Sequence, residues 1–201
     1  RPSHAFLFFI QQFLGKVDFS KAFAASLLCE KPDDKGLGCG YCRSCHFMQE
    51  GYHPDFYMVL PEGKAQMIKV DVVRELTAKI QQTSQQGGYQ VVLISPAESM
   101  NHASANALLK SLEEPTGKVV FLLVSHQTCN IPATILSRTQ RLVFQTPDEH
   151  EGVEWLRNHI DSSHDPVLLL KLAGGAPLWA RDLSQTQFLT MRATLLKHLQ
   201  D

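Results

Sequence analysis

Short apolar runs alternate with helical patterns along the chain up to about residue 145. The runs are continuous and rich in β-branched or aromatic residues, which is typical of buried strands; they cover residues 5–9, 56–60, 90–94, 119–124 and 141–144. Between them, apolar positions recur at helical spacing in residues 18–28, 71–85 and 102–114. We expect Asp18 to cap the first of these helices and Pro115 to stop the third.

This alternation predicts an α/β domain whose mostly parallel sheet is covered by helices on both faces, because parallel strands need crossover connections. Such an architecture is a nucleotide-binding-type core, and we place it over residues 1–145. After Gln145 the strand pattern ends, and helix candidates separated by Gly and Pro follow. Residues 146–201 are therefore predicted to form a small helical domain.

Composition and charge narrow the possibilities. With 201 residues, 44% of them hydrophobic, the chain can bury a substantial core. Its 19 basic and 20 acidic residues give a net charge of -1, so no bulk attraction to DNA or to a membrane surface is expected. No apolar run approaches the roughly 20 residues of a transmembrane helix, and the start lacks a signal-peptide cleavage pattern. A soluble cytoplasmic protein is the default expectation, and the abrupt apolar start suggests a missing N-terminal segment.

Four of the five cysteines are crowded into one loop, at Cys29, Cys39, Cys42 and Cys45. The C-x2-C-x2-C spacing of the last three lets successive thiolates turn inward on one knuckle, and nearby glycines ease the tight backbone. Four thiolates with no open position for water are typical of structural zinc, so we predict a zinc module at about residues 29–45. The alternative, a set of ordinary buried cysteines, fits a Gly- and Lys-containing loop poorly. Cys129 stands alone and is expected to be a small packing or loop residue.

A Gly-Lys pair follows the first apolar run, where a phosphate-binding loop would lie. Such a loop needs G-x-x-x-x-G-K-[ST], in which backbone N–H groups approach the phosphates, the lysine supplies charge and the hydroxyl binds Mg²⁺. Gly15 and Lys16 are present, but Ile10 replaces the first glycine and Val17 replaces the hydroxyl. The loop is degenerate, and we expect no cofactor to bind there.

The acidic residues that would hold Mg²⁺ and polarise the attacking water are displaced as well. They belong at the end of a neighbouring strand, but Ser95 and Pro96 stand at the tip of the run 90–94. The first carboxylate is Glu98, beyond the proline. The phosphate loop and the acidic residues each lack groups needed for catalysis, so the sequence predicts an ATPase-like core that cannot hydrolyse ATP by itself.

Two longer motifs carry a resemblance to a known family. "SANALLKSLEEP" at 104–115 and "LLVSHQTCNIPATILSRTQ" at 122–140 closely resemble the clamp-loader branch of the AAA+ proteins, whose members carry A-N-A-L-L-K-x-L-E-E-P and S-R-C. The cysteine loop before "HPDF" at 53–56 is similar to that of the bacterial members. The resemblance spans nearly the whole chain. It implies an AAA+ P-loop NTPase-type parallel sheet core with a zinc-binding loop, followed by a small helical lid domain.

The resemblance also implies a function. Clamp-loader subunits form a hetero-pentamer in the bacterial cytoplasm, which uses ATP at its interfaces to place a sliding clamp on primed DNA for a DNA-directed DNA polymerase. In that ring a non-hydrolysing subunit donates an arginine in trans to its neighbour's ATP site. The motif match places this role on Arg138, which Thr139 follows instead of the family's cysteine. A guanidinium there would stabilise charge on the transferring phosphoryl group.

Other positions are interpreted through the same resemblance. Leu178 aligns with an arginine of the active relatives, and Arg181 is displaced by about one helical turn, which agrees with lost nucleotide sensing. Glu113 and Glu114, at a helix end before proline, are interpreted as structural or interface residues. The family's helical collar domain is absent from these residues, so the resemblance implies a fragment.

Two other functions stay open. One is an ATPase-active AAA+ clamp-loader subunit with an unusual phosphate loop. The other is a stand-alone zinc-ribbon nucleic-acid-binding module built on residues 29–56, against which the near-neutral charge argues. No catalysis is expected from this chain alone.

Overall fold

The computed structural model describes residues 4–9, 14–63, 66–126, 130–188, 191–192 and 194–195. These residues form two compact units. The first contains the opening strand and residues 16–144, and the second contains residues 14–15 and those from 145 onward. Among the described residues, no helix is both long and apolar enough to cross a membrane.

The described residues of the first unit include five parallel strands, β1 (Ala5–Phe9), β2 (Phe56–Val59), β3 (Gln90–Ile94), β4 (Val119–Ser125) and β5 (Gln140–Val143). The strand order across the sheet is β2-β3-β4-β1-β5. The parallel pairing is continuous, with Leu7 opposite Leu123 and Val92 opposite Phe121, for example. The predicted parallel α/β sheet is thus confirmed.

Helices cover both faces of this sheet: α1 (Lys16–Leu28), α2 (Arg43–Glu50), α3 (Val70–Ile80), α4 (His102–Glu113) and α5 (Ala133–Leu136). Helix α1 packs Ala24 and Leu28 on the face that presents Phe8 and Leu93. Helices α3, α4 and α5 pack on the opposite face, where alternate strand residues point. The carboxyl ends of the strands therefore meet at one edge, where the segments carrying Lys16, Glu98 and His126 begin.

Two strands predicted to be buried are in fact edge strands. All four residues of β5 are exposed, with Val143 at 68%, and Val59 alone is buried in β2. An edge strand has a neighbour on one side only, so helices shield it less than they shield β3 and β4, which are buried throughout. The apolar residues of these two runs predicted the strands correctly but predicted their burial wrongly.

Two helix boundaries also differ from the prediction. Helix α1 begins at Lys16, so Asp18 lies in its first turn instead of capping it. Helix α3 ends at Ile80 rather than at residue 85. The next turn is polar and Gly-rich, and the backbone N–H groups of Gln85 and Gln86 each donate to the buried carboxylate of Asp55 at 2.8 Å. Because the Asp55 carboxylate accepts hydrogen bonds from these two N–H groups, they need no helical carbonyl partners, and α3 can end at Ile80.

The described residues of the second unit include the short helices α6 (Glu149–Arg157), α7 (Pro166–Leu172) and α8 (Pro177–Ser184). Side chains of Asp148 and Asp165 cap the first two, and proline begins the second and third, as helix-start chemistry requires. A Cβ at Gly152 would lie 2.8 Å from Leu170 Cδ2, so any larger residue there would displace the buried Leu170 side chain. The helix pattern is confirmed, and the role of this unit as a lid domain stays a prediction.

Candidate functional site: a cysteine knuckle, a buried lysine and an exposed arginine

The four clustered cysteines lie together in the structure. Cys29 follows the last residue of α1, Cys39 lies in the loop, Cys42 is the N-cap of α2 and Cys45 lies in its first turn. The Cys42 sulfur accepts a hydrogen bond from the backbone N–H of Cys45 at 3.4 Å, so the start of the helix aims two sulfurs at one point. All four sulfurs lie within 4.8 Å of one another.

The spacing of the sulfurs fits a tetrahedral metal ion. Sγ of Cys29 lies 3.8 Å from Sγ of Cys42, and Sγ of Cys39 lies 3.9 Å from Sγ of Cys45. Zinc–sulfur bonds of about 2.3 Å in tetrahedral geometry place their sulfurs about 3.8 Å apart. Backbone N–H groups of Lys31 and Cys39 donate to Sγ of Cys29 at 3.4 and 3.3 Å, which holds this sulfur in place beside the others. The cluster can therefore hold a metal ion and is compatible with zinc.

The two buried cysteines differ in acidity. Burial acts to raise the pKa of Cys42, but hydrogen bonds to the Cys45 and Glu30 backbone and to neighbouring thiols lower it to about 6. At Cys45 burial raises the pKa to about 12, and hydrogen bonds with the other thiols add to the rise. Because one thiolate opposes ionisation of its neighbours, the buried Cys45 thiol ionises readily only beside a cation.

A buried Ser-His-Asp set ties the knuckle to the sheet. Ser44 Oγ lies 2.6 Å from Nε2 of His53 and donates to the carbonyl of Leu28 at 2.5 Å. Nδ1 of His53 accepts from the backbone N–H of Asp55 at 3.1 Å, so the ring proton is on Nε2 and is donated to the serine. The histidine cannot act as a base toward that hydroxyl. The set is structural, and it packs His53 between the knuckle and the start of β2.

The phosphate-loop remnant holds a buried lysine. The side chain of Lys16, the first residue of α1, is 3% exposed. Burial lowers the pKa of Lys16 to about 8, and the nearby carboxylate of Glu98 opposes that shift. Val17 follows it and brings no hydroxyl, and Ile10 lies outside the described residues.

Glu98 lies near Lys16 in the structure, although its position after Pro96 in the sequence predicted otherwise. It lies in the short 3-10 turn Ala97–Ser99 after β3, and its Oε1 accepts from the backbone N–H of His126 at the end of β4, at 2.9 Å. Glu98 Oε2 and His126 Nδ1 are buried and make no hydrogen bond within the described part of the chain. An internal carboxylate thus stands beside Lys16, where a working loop would bring a phosphate.

The histidine at this edge predicts a pH dependence of stability. Burial, followed by the charge of Lys16, lowers the pKa of His126 in the folded chain. The unfolded chain therefore binds more protons near and below pH 6.5, so this contribution to stability is present above pH 6.5 and is lost as pH falls through the folded-state pKa. We expect urea unfolding between pH 7.5 and 5.5 to give a shallower pH slope in His126→Gln than in wild type. His102→Gln, at an exposed histidine, is the matched control and should keep the wild-type slope.

In the second unit, the position that aligns with a family arginine holds an apolar contact instead. A Cβ on Gly15, whose φ is 74°, would lie 3.3 Å from Cδ1 of Leu178. Arg181 donates to the carboxylate of Asp182 through Nε at 3.2 Å and Nη2 at 2.9 Å. The structure thus places Leu178 beside the loop glycine and pairs Arg181 within its own helix.

Arg138 lies at the surface of the first unit, just after α5. Its side chain is 32% exposed, and its guanidinium contacts Glu113 through Nε at 2.7 Å and through Nη2. Nη1 donates to the carbonyl of Thr134 at 2.9 Å. The structure therefore brings the two motifs of the sequence together through one ion pair. Glu113 was assigned only a structural or interface role, and nothing in its local sequence pointed to Arg138.

The fold belongs to a known class. A solved DNA polymerase III gamma subunit-related protein of Thermotoga maritima aligns over 96% of this chain and 58% of its own, with a TM-score of 0.62 at 20% identity. RuvB of Thermotoga maritima aligns over 91% of this chain and 53% of its own, with a TM-score of 0.56 at 14% identity. At these identities the likeness concerns the fold. The chain has an AAA+ P-loop NTPase-type core with an inserted cysteine knuckle.

Sequence comparison narrows the class to a family. Residues 1–148 match the family described as "DNA polymerase III, delta subunit". DNA polymerase III subunit delta′ of Pseudomonas aeruginosa is 42% identical over 183 residues, which are 90% of this chain and 56% of the relative. The chain belongs to the DNA polymerase III delta subunit family, and it spans somewhat more than half the length of that relative.

Proposed function

We propose that this protein is a non-hydrolysing clamp-loader subunit of a bacterial DNA polymerase III, which helps to load the sliding clamp onto primed DNA. The observation that carries the proposal is the state of Lys16. The loop lysine is buried, stands near the carboxylate of Glu98 and is followed by Val17, where the loop motif has the hydroxyl that binds Mg²⁺. A subunit of this kind contributes to catalysis only through its neighbours.

The contribution to a neighbour would come from Arg138. A guanidinium offered across an interface stabilises charge on the transferring phosphoryl group without any nucleotide bound by its own chain. The partial exposure of Arg138 and its place in the Ser-Arg-Thr segment support this role. The partners would be the other clamp-loader subunits of a cytoplasmic hetero-pentamer, and through them the clamp and primed DNA.

The cysteine knuckle would hold one structural zinc ion through Cys29, Cys39, Cys42 and Cys45. The sulfur spacing and the chemistry of four thiolates support zinc, and four protein ligands leave no position for a reacting water. The ion would supply a cross-link between the end of α1, the loop and the start of α2. We assign it no step in ATP hydrolysis.

The experiment that tests this function is clamp loading on primed DNA by the remaining subunits, with and without the full-length protein. We expect loading to require the protein. We also expect Lys16→Met, which keeps an apolar stem in the buried position, to leave the loading rate within about twofold of wild type, because Lys16 meets no phosphate in this account. Thermal unfolding of the variant beforehand shows whether the chain is intact.

The same experiment separates the alternatives. Loss of loading and of ATP turnover in a folded Lys16→Met variant would indicate an ATPase-active subunit instead. Loading that proceeds without the protein would exclude the clamp-loader role and favour the zinc-ribbon nucleic-acid-binding module instead. That module predicts DNA binding whose affinity falls steeply as salt rises.

A further inference from the structure

The guanidinium of Arg138 is held on three sides. Nε donates to Oε1 of Glu113 at 2.7 Å, and Nη2 contacts the same oxygen. Nη1 donates to the carbonyl oxygen of Thr134 at 2.9 Å and to Oγ of Ser137 at 3.2 Å. Glu113 is the last residue of α4, whereas Thr134 and Ser137 belong to α5 and its cap, so two elements fix the orientation of one side chain.

Counting donors shows what this arrangement leaves available. A guanidinium has five N–H groups, and the contacts to Glu113, Thr134 and Ser137 use four of them. One N–H on Nη2 remains without a partner among the described residues. Arg138 can thus offer a donor to an incoming oxyanion while every contact that orients it stays in place.

We propose that Glu113 is a positioning residue for Arg138, which holds the guanidinium so that its remaining Nη2 donor is presented to the phosphoryl group in the neighbouring subunit. The inference rests on the proposed function of Arg138 and adds that Glu113 orients its guanidinium. Arginine loses considerable rotamer freedom when it is fixed, and a bond already made in the free subunit removes part of that cost from the transition state.

A role in stability alone accounts poorly for the pair. The side chains of Arg138 and Glu113 are 32% and 49% exposed, and ion pairs as open as this one contribute little to folding. Glu114 is adjacent, equally charged and exposed, and it makes no ion pair within the described residues. It therefore provides a matched control for charge and for position in the chain.

The test uses the reconstituted complex with full-length protein and measures kcat and KM for DNA-stimulated ATP turnover. We expect Glu113→Ala to lower kcat about tenfold and to leave KM within about twofold, because a misdirected arginine affects mainly the transition state. Glu113→Gln keeps an oxygen acceptor for Nε and should restore most of the rate. Glu114→Ala removes the adjacent carboxylate but leaves the contact between Arg138 and Glu113 in place, so it should lower kcat less than Glu113→Ala does.

A double variant connects the effect to the arginine. If Glu113 acts through Arg138, then Glu113→Ala should cause no further loss in an Arg138→Ala background. An undiminished additional loss, or a Glu113→Ala rate equal to or above wild type while Arg138→Ala is slow, would overturn the positioning role alone. If Arg138→Ala itself turns over ATP at the wild-type rate, the proposed function fails first.

Discussion

Replacement of Cys42 by serine is expected to abolish the zinc binding proposed for the cysteine knuckle and to unfold the knuckle. Cys42 is the N-cap of α2, and its sulfur lies 3.8 Å from that of Cys29. Serine is itself a good N-cap residue, so this substitution keeps a capping oxygen and removes the thiolate. The expected loss therefore reports on the metal site rather than on the helix start.

The effect should be large because metal binding and folding are coupled in such modules. Structural zinc sites of small domains bind with roughly 10–16 kcal/mol of free energy, much of which appears as folding stability. A chain of this size loses about 2–4 °C of Tm per kcal/mol. We expect Cys42→Ser to lower Tm by about 10 °C or more, and elemental analysis to find near zero zinc in the variant against about one zinc per chain in wild type.

Cys129→Ser is the matched control for this experiment. Cys129 lies outside the described residues and is not one of the four knuckle cysteines, so this variant should retain the zinc. Wild-type protein that purifies without a stoichiometric metal, and whose Tm is unchanged by EDTA, would contradict the zinc assignment. It would leave the four sulfurs as a thiol cluster without an ion.

The fold could be predicted where the sequence carries a local signal. β3 and β4 are buried on both faces, so their positions are apolar throughout, and helices α1 and α4 show the helical period. The cysteine cluster could be predicted for a similar reason, because knuckle spacing reflects the geometry of a tetrahedral ion. The sequence pattern missed the exposure of β5, since an edge strand can carry the same apolar letters as a central one.

Local sequence patterns do not predict the polar contacts of the candidate site. Glu113 and Arg138 are 25 residues apart, and Glu98 meets the backbone of His126 across 28 residues. The first pair forms where α4 ends and just before β5 begins, at the edge where the parallel strands start, and the second forms where β3 and β4 end, at the opposite edge. Crossover helices between parallel strands bring such distant segments together, and the sequence does not encode these partners by spacing. Glu98 was set aside because it follows a proline, although the 3-10 turn after β3 returns its carboxylate toward Lys16.

Replacement of Arg138 by alanine is the second change with a large expected effect. An arginine offered in trans contributes about 10³-fold or more to turnover at the site that receives it. In a ring with several ATP sites, the overall rate then depends on how far the other sites work independently, and we expect a fall of at least about tenfold. The chain itself should stay folded, because the ion pair that is lost is half exposed.

Arg141→Ala is the control for charge near the same place. Arg141 lies on the exposed strand β5, three residues beyond Arg138, and belongs to no recognised motif. Its loss should leave assembly and turnover within about twofold of wild type, because a single exposed charge is largely screened at physiological salt. An equal fall in both variants would indicate a general effect of surface charge on assembly.

Whether this subunit acts through its neighbour's ATP site is tested most directly by reconstituting a clamp loader with full-length Arg138→Ala protein. Once assembly of the complex has been verified, its DNA-stimulated ATP turnover is measured. A fall of at least about tenfold, with assembly intact and Arg141→Ala near wild type, is the result predicted for a subunit that acts through its neighbour's site. Turnover at the wild-type rate in the intact complex would contradict the account and reduce Arg138 to a surface charge.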